Sequence, residues 1–437
     1  MVMDEKYRVV ITGIGPICSL GFGKDEVWDS ILKTRLNLIK TSYEINGEKW
    51  GDFFIHKMKN FNIDDFKLPK QNFNFVDNIR GFKDGDIDLY YFLAVVKLAM
   101  ESSGLTYNHD DNDVGLVLTQ ENPGVESFFD TVIDSAHDFL NTRKDAAAAT
   151  KLQIAQGLYQ QCEEPGYSLQ TFSYIYSVAK VFDMHGSSLF INNACASGLF
   201  AIEAASNQLR SGANSAVVVA AIENPTKIYK YLWFKKNGLY AEDGITRPYS
   251  KETSGIVFGD GGCALVMETL ENAKKRGAHV YGEYMGGGFS LEGWKIMVPN
   301  ITEDFYSRSF KKALKNANVK PEDIDFVNPH GVGMKITDTY EATTINNVFG
   351  SRKPLVSAFK PLIGHNLGGS ALLETAISLM ALENNIVPAT LNCENPNPKL
   401  NLEIVRENRH VDLNMVSKMS CGFAGFSGVS IFKKYNT

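Results

Sequence analysis

The chain has 437 residues, 44% hydrophobic and 22% charged, the composition of a folded protein larger than one average domain and not of a disordered or fibrous one. Lys and Arg number 44 against 50 Asp and Glu, a formal charge of −6, and with no basic block this argues against general nucleic-acid binding. Apolar runs such as Leu89 to Val96 fall far short of the ~18 residues of a membrane-spanning helix, no signal-peptide pattern opens the chain, and six scattered cysteines read as a reduced set. A soluble cytoplasmic protein, with no membrane or nucleic-acid partner, is the expectation.

In chain order, Tyr7 to Ile14 reads as a buried strand followed by Gly13 and Gly15 in a tight turn. A dinucleotide-binding reading of that Gly-x-Gly fails, because Cys18 takes the third fingerprint position and Pro16 interrupts the turn. From about 41 to 185 the pattern loosens into an aromatic- and Asn-rich stretch, read as a cap and oligomer surface, with helices over Phe92–Met100 and Ala146–Leu158. Ser188–Asn192 reads as a strand leading to Cys195, then a helix over Ala196–Arg210 closed by Gly212, and a buried strand over Ala216–Ile222. The later chain repeats this plan. A turn at Pro321–Asp323 precedes a strand Ile324–Asn328 that delivers His330. A helix Asp338–Phe349 capped by Gly350, a strand Leu355–Phe359, a loop carrying His365 and a helix Ser370–Asn384 complete it. The predicted fold class is α/β with two duplicated halves, 1–269 and 270–437, meeting at a central site.

Cys195 lies in NNACASG (192–198), between a strand and a helix whose first turn is small. A helix N-terminus offers free N–H groups and a positive dipole end, so a lowered thiol pKa and a nucleophilic role are expected, against the alternative of an inert buried cysteine. His330 in NPHGVG (328–333) and His365 in GHNLGG (364–369) each sit beside glycine behind a strand. Neutral imidazoles donating N–H to a carbonyl suit this setting. No metal is expected, since no short ligand spacing and no carboxylate support one. Lys360 and Glu374 flank His365, and as an ion pair facing the site they would fix the histidines' orientation.

Those residues lie in motifs that resemble the β-ketoacyl synthases, the condensing enzymes of type II fatty-acid and polyketide synthesis. The motifs are VVITGIGPICSLG (9–21), NNACASGLFAIEAA (192–205), RPYSKETSGIVFGDGGCALVME (247–268), NPHGVGMKITDTYEA (328–342), SAFKPLIGHNLGGSALLE (357–374) and CGFAGFSG (421–428). The resemblance implies the thiolase-like fold, a five-layered αβαβα core, and a dimer. It implies that Cys195 takes an acyl chain from the 4'-phosphopantetheine arm of an acyl carrier protein, with no cofactor bound by the chain itself. His330 and His365 would hold the malonyl thioester and its enolate, the N–H groups of Cys195 and Phe423 the oxyanion, and Lys360 with Glu374 the supporting pair. Histidine at 365 favours an elongating enzyme over a thiolase-type one.

Several positions depart from the family pattern. Val332 and Met334 replace the two pantetheine-binding threonines, and Asn193 stands where a small residue usually precedes the Ala-Cys pair. In the gate, Phe423 is kept but Ala424 replaces a glycine before Gly425, and Phe426 replaces a threonine. These departures point to a type II polyketide or polyene ketosynthase. The alternatives are a primary fatty-acid elongating synthase, a subunit dependent on a chain-length-factor-like partner, and an acyltransferase that does not condense. An acidic carrier protein calls for basic docking residues, with Lys67, Lys70, Lys235 and Lys236 as candidates.

Overall fold

The computed structural model describes residues 4–45, 48–69, 86–106, 113–125, 169–225 and 228–436, with scattered positions between 128 and 166. The helix expected over Ala146–Leu158 lies largely outside the described residues, and Lys70 lies wholly outside them. In the first half the core elements are β1 (Val9–Cys18), α1 (Ile87–Ser103), β2 (Gly115–Thr119), α2 (Thr171–Phe182), β3 (Ser188–Ile191), α3 (Ser197–Arg210), β4 (Ala216–Glu223) and β5 (Gly261–Thr269). In the second they are β6 (Gly282–Leu291), α4 (Phe305–Ala317), β7 (Phe326–Asn328), α5 (Lys335–Phe349), β8 (Leu355–Val356), α6 (Leu367–Asn384), β9 (Met415–Cys421) and β10 (Phe426–Lys433).

The strands of the first half lie in the spatial order β1-β5-β4-β2-β3, and those of the second in the order β6-β10-β9-β7-β8. Directions match as well. β1/β5 and β5/β4 are antiparallel while β4/β2 and β2/β3 are parallel. The second half repeats this, with β6/β10 and β10/β9 antiparallel and β9/β7 and β7/β8 parallel. The sheets join edge to edge through antiparallel β1 and β6. Helices α1 and α2 cover the outer face of the first sheet and α4 with α5 that of the second, while α3 and α6 lie between the sheets. α6 is buried from Leu367 to Leu382, as a helix with apolar residues all round must be.

Two expectations change here. Gly13 and Gly15 form no turn, because β1 runs through both to Cys18. They are where α1 lies on the sheet: a Cβ at Gly13 would come 2.4 Å from the Ala99 carbonyl oxygen, and one at Gly15 2.3 Å from that of Val95. The stretch 41–185 is not all cap, since α1, β2 and α2 belong to the core layers. α1 buries apolar residues on nearly every face, so its sequence lacks the one-sided period that marks an ordinary surface helix. Strand and helix ends shift by a few residues elsewhere. β8 stops at Val356 because Lys360–Ile363, with proline in its first turn, coils into a short helix.

The functional consequence lies at one crossing. Gly198 opens α3, and a Cβ there would lie 2.6 Å from the Leu372 amide nitrogen. Only the missing side chain lets α3 and α6 approach this closely, and that approach brings the start of one helix to the start of the other. Strands β3, β7 and β8 all end near this point, on the side where parallel α/β sheets bind ligands.

Candidate active site

Cys195 stands on a strained elbow. After β3, Ala194 takes φ +51°, a conformation that costs a residue with a Cβ and survives only where neighbours enforce it. Here the Asn193 amide donates to Ser197 Oγ at 2.7 Å, and the Ser197 amide to the Ala194 carbonyl at 3.0 Å. Ala196 caps α3, so the helix begins one residue later than expected.

His330 follows β7 at the second half's matching position. Its amide and that of Gly331 donate to Glu341 at 2.6 and 2.8 Å, and Glu341 also accepts from Tyr249 Oη at 2.9 Å. His365 is pinned by its amide to the Val257 carbonyl at 2.8 Å and by Ser370 Oγ, 2.8 Å from its Nδ1. When that hydroxyl donates, the ring proton sits on the other nitrogen, the tautomer able to donate to a carbonyl. Ser420 Oγ donates to the Cys195 carbonyl at 2.9 Å and lies 3.4 Å from His330 Nδ1, a contact too long to fix that ring's tautomer. The imidazoles meet edge to face, centroids 5.2 Å apart. Cys195 Sγ and one nitrogen of each ring lie within 4.8 Å of one another.

Lys360 and Glu374 do form an ion pair. Lys360 Nζ lies 2.9 Å from both Glu374 oxygens and 2.6 Å from the His330 carbonyl. Lys418 completes the group, 2.7 Å from Glu374 and 3.0 Å from the Pro329 carbonyl. All three side chains are at most 1% exposed. Burial, opposed by Glu374, brings the Lys418 ammonium down to about 8. Burial first, and then the two lysines, hold both imidazoles well below the ordinary histidine value. The rings are therefore neutral near pH 7, as their expected role requires.

The thiol is the correction. Instead of being lowered, its pKa is held well above the ordinary cysteine value, first by burial and then by the charge of Glu121, whose Oε1 lies 3.6 Å from Sγ. Cys195 precedes the cap of α3 and sits in a closed site beside a carboxyl, so desolvation and repulsion outweigh the helix end.

The three reactive side chains line a cavity of about 50 Å³, walled also by Val332, Met334, Phe423 and Gly425 and covered by Ile296–Pro299. Phe423 packs against the neighbouring Trp233 and Phe234, both rings 5.7 Å away. Ala424 takes φ +61° where glycine would be unstrained, and its amide donates to the Ile296 carbonyl at 2.6 Å. Asn193, Ala424 and Phe426 lie outside the cavity wall, Phe426 packing on Phe200. Lys67 and Lys236 are exposed, and Lys235 pairs with Glu242 at 2.8 Å.

The β-ketoacyl synthase N-terminal domain family matches residues 6–273, and the corresponding C-terminal domain family residues 281–394. The chain belongs to the β-ketoacyl synthase family. Among curated relatives, the 3-oxoacyl-[acyl-carrier-protein] synthase 2 of Coxiella burnetii is 26% identical over 98% of this chain and 99% of that protein. The protein of the same name from Staphylococcus aureus is 26% identical over 99% of this chain and all of that one. Two solved structures share the fold. An ishigamide ketosynthase/chain length factor has TM-score 0.80 at 24% identity, covering 98% of this chain and 99% of that one. A β-ketoacyl synthase from Burkholderia phymatum has TM-score 0.79 at 21% identity, covering 98% and 100%. The fold of this ketosynthase-family chain is thiolase-like.

Residue reasoning missed Lys418, Glu341, Ser370, Ser420 and Glu121. A lysine inside the short strand MVSKMSC, otherwise without charge, was the one conspicuous signal, because a buried strand tolerates an ammonium only beside a carboxylate. Glu121, just past the end of a parallel strand, stands where such sheets place ligand-facing residues.

Proposed function

We propose that the chain is a β-ketoacyl-acyl carrier protein synthase. The observation that carries this is the convergence of Cys195 with two neutral imidazoles in one cavity, backed by Lys360, Glu374 and Lys418. Sγ of Cys195 attacks the thioester of an acyl carrier protein, forming acyl-Cys195 and releasing the carrier's 4'-phosphopantetheine thiol. Malonyl carrier protein then enters, its thioester oxygen facing His330 and His365. Loss of CO₂ leaves an enolate on that oxygen, which neutral N–H donors stabilise without first giving up a proton. Its carbon attacks the acyl carbonyl, and the Cys195 thiolate leaves and is reprotonated. The product is a β-ketoacyl chain two carbons longer.

The backbone supports an oxyanion site at Cys195 and Phe423: a Cβ at Gly422 would come 3.1 Å from the Cys195 amide nitrogen, so the two segments run side by side. The phosphopantetheine arm is supplied by the carrier, and Val332 and Met334 offer it an apolar wall in place of hydroxyls. A cavity of about 50 Å³ has room for a few waters and is far smaller than the arm, which therefore enters only when Phe423 and the Ile296–Pro299 cover part. Ala424 and the apolar wall favour a specialised type II polyketide or polyene role over primary fatty-acid elongation. Among the described residues β3 leaves an open sheet edge, and Leu189 on it and Phe172 and Tyr176 on α2 are exposed. That edge supports a dimer, either with a second copy or with a chain-length-factor-like subunit. No helix among the described residues is long and apolar enough to cross a membrane, and a cytoplasmic location is part of the proposal.

Intact-protein mass spectrometry tests the reading. Mixed with acyl-loaded carrier protein, the chain is expected to gain an acyl adduct that Cys195→Ala lacks. Malonyl carrier protein should then yield a carrier product two carbons longer. A wild type that gains no adduct overturns autonomous catalysis, and an adduct that never elongates leaves acyl transfer alone.

A further inference from the structure

The proposed cycle needs a group to take the Cys195 proton when the thiol attacks. Both histidines lie close to Sγ, but burial with Lys360 and Lys418 makes both rings poor proton acceptors. Within reach of Sγ lies a carboxyl that the cycle has not used. Glu121 follows β2, and its Oε1 receives the Cys195 S–H at 3.6 Å, ordinary reach for a sulfur donor.

The surroundings hold Glu121 there. Its amide donates to Glu223 Oε2 at 3.1 Å, and Glu223, at the end of β4, pairs with Lys230 at 2.6 Å. Asp88 of α1 accepts from the Gly124 amide at 3.1 Å. Tyr229, beside Lys230, also feels the Glu121 charge. At the start of α6, Gly368 leaves room for the Glu121 side chain: a Cβ there would lie 3.3 Å from its Cγ. Glu223 thus pairs with Lys230, and the Glu121 carboxyl also acts on that lysine. Burial first, then the Glu223 charge, raise Glu121 to about 7, with Lys230 and Cys195 opposing.

We propose that Glu121 is the base that accepts the Cys195 proton during acyl loading, an inference that rests on the ketosynthase reading. As Sγ bonds to the thioester carbonyl carbon, the S–H proton passes to the Glu121 carboxylate. The tetrahedral intermediate then breaks its bond to the pantetheine sulfur. That leaving thiolate takes the proton back from Glu121, so the carboxylate is restored and nothing is oxidised or reduced. Until then the thiol stays protonated, because the carboxylate beside it disfavours a free thiolate.

The test uses two reactions on wild type and Glu121→Gln, with Cys195→Ala as the control. Loading is followed by intact mass with a hexanoyl N-acetylcysteamine thioester, and thiolate reactivity with iodoacetamide, each across pH 5.5–9 (about one unit or more either side of the titration). Wild-type loading is expected to rise through about pH 7. Glu121→Gln should load about 10²-fold more slowly, the usual size of a lost general base, and lose that limb. Its alkylation should be no slower, since the neutral amide no longer repels the thiolate. Unchanged loading in Glu121→Gln overturns the proposal and passes the base role to His330. Loading and alkylation that fall together overturn it in favour of a merely structural Glu121. A wild type that alkylates at Cys195 but takes no acyl group from this thioester or from carrier protein overturns the ketosynthase reading and, with it, a base role in loading.

Discussion

The two halves share one strand order and one set of strand directions, yet the ends they bring to the site carry opposite charge. The first half offers a thiol beside Glu121, with Glu223 next to that carboxyl and Lys230 paired to Glu223. The second offers two imidazoles beside Lys360 and Lys418, with Glu374 between those lysines. Burial keeps each reactive group uncharged, and each setting adds to it: an acidic neighbour disfavours a thiolate and basic neighbours an imidazolium. A repeated scaffold has thus been given two electrostatic environments, and the chemistry takes place where they meet.

If the halves divide the work this way, changing the basic side should spare the acidic one. His330→Ala and His365→Ala are expected to keep acylation of Cys195 while losing condensation by about 10²–10³-fold, the scale of a lost oxyanion donor. Intact mass separates the two steps, and a variant that loses both would break the comparison. The crossing of α3 and α6 comes next. Gly198→Val places side-chain atoms where a Cβ alone would lie 2.6 Å from the Leu372 nitrogen. Overpacking of this kind costs about 1–3 kcal/mol or more, which thermal unfolding would show as a lowered Tm, while Gly212→Ala, with nothing within 4 Å of its Cβ, serves as a milder control. The smallest effect is on pH. Lys418→Met removes a cation that lowers both imidazoles, so their protonation should begin at higher pH. Wild type should hold its condensation rate well below pH 6.5 on the acid side. The variant's acid limb should move up toward that value, while an unmoved limb would assign the lowering to burial and Lys360.

How much of this was legible follows from where partners lie in the chain. Cys195, His330 and His365 announce themselves through short glycine-rich motifs at strand ends, and the alternation of strands and helices marks both halves. Lys360 and Glu374 could be paired because both flank His365. Lys418 reaches Glu374, and Glu121 reaches Cys195, only through the fold, and no local pattern encodes such a contact. The thiol shows the same limit in energy terms. Its helix-end setting is readable from sequence, but the burial and the carboxyl that outweigh it are three-dimensional. α1 was hard to place because it is apolar on nearly every side, so its periodicity carried little information.

The open edge of β3 has one more consequence. That strand runs directly into the Asn192–Cys195 elbow, so a subunit pairing with the edge it leaves open among the described residues, as proposed, also braces the segment whose strained Ala194 carries Cys195. On the proposed dimer, quaternary state and reactivity then become one variable. Specific activity should depend on protein concentration, as dilution that separates the pair also slackens the elbow, and a partner subunit could tune the reaction without contributing an atom to the cavity.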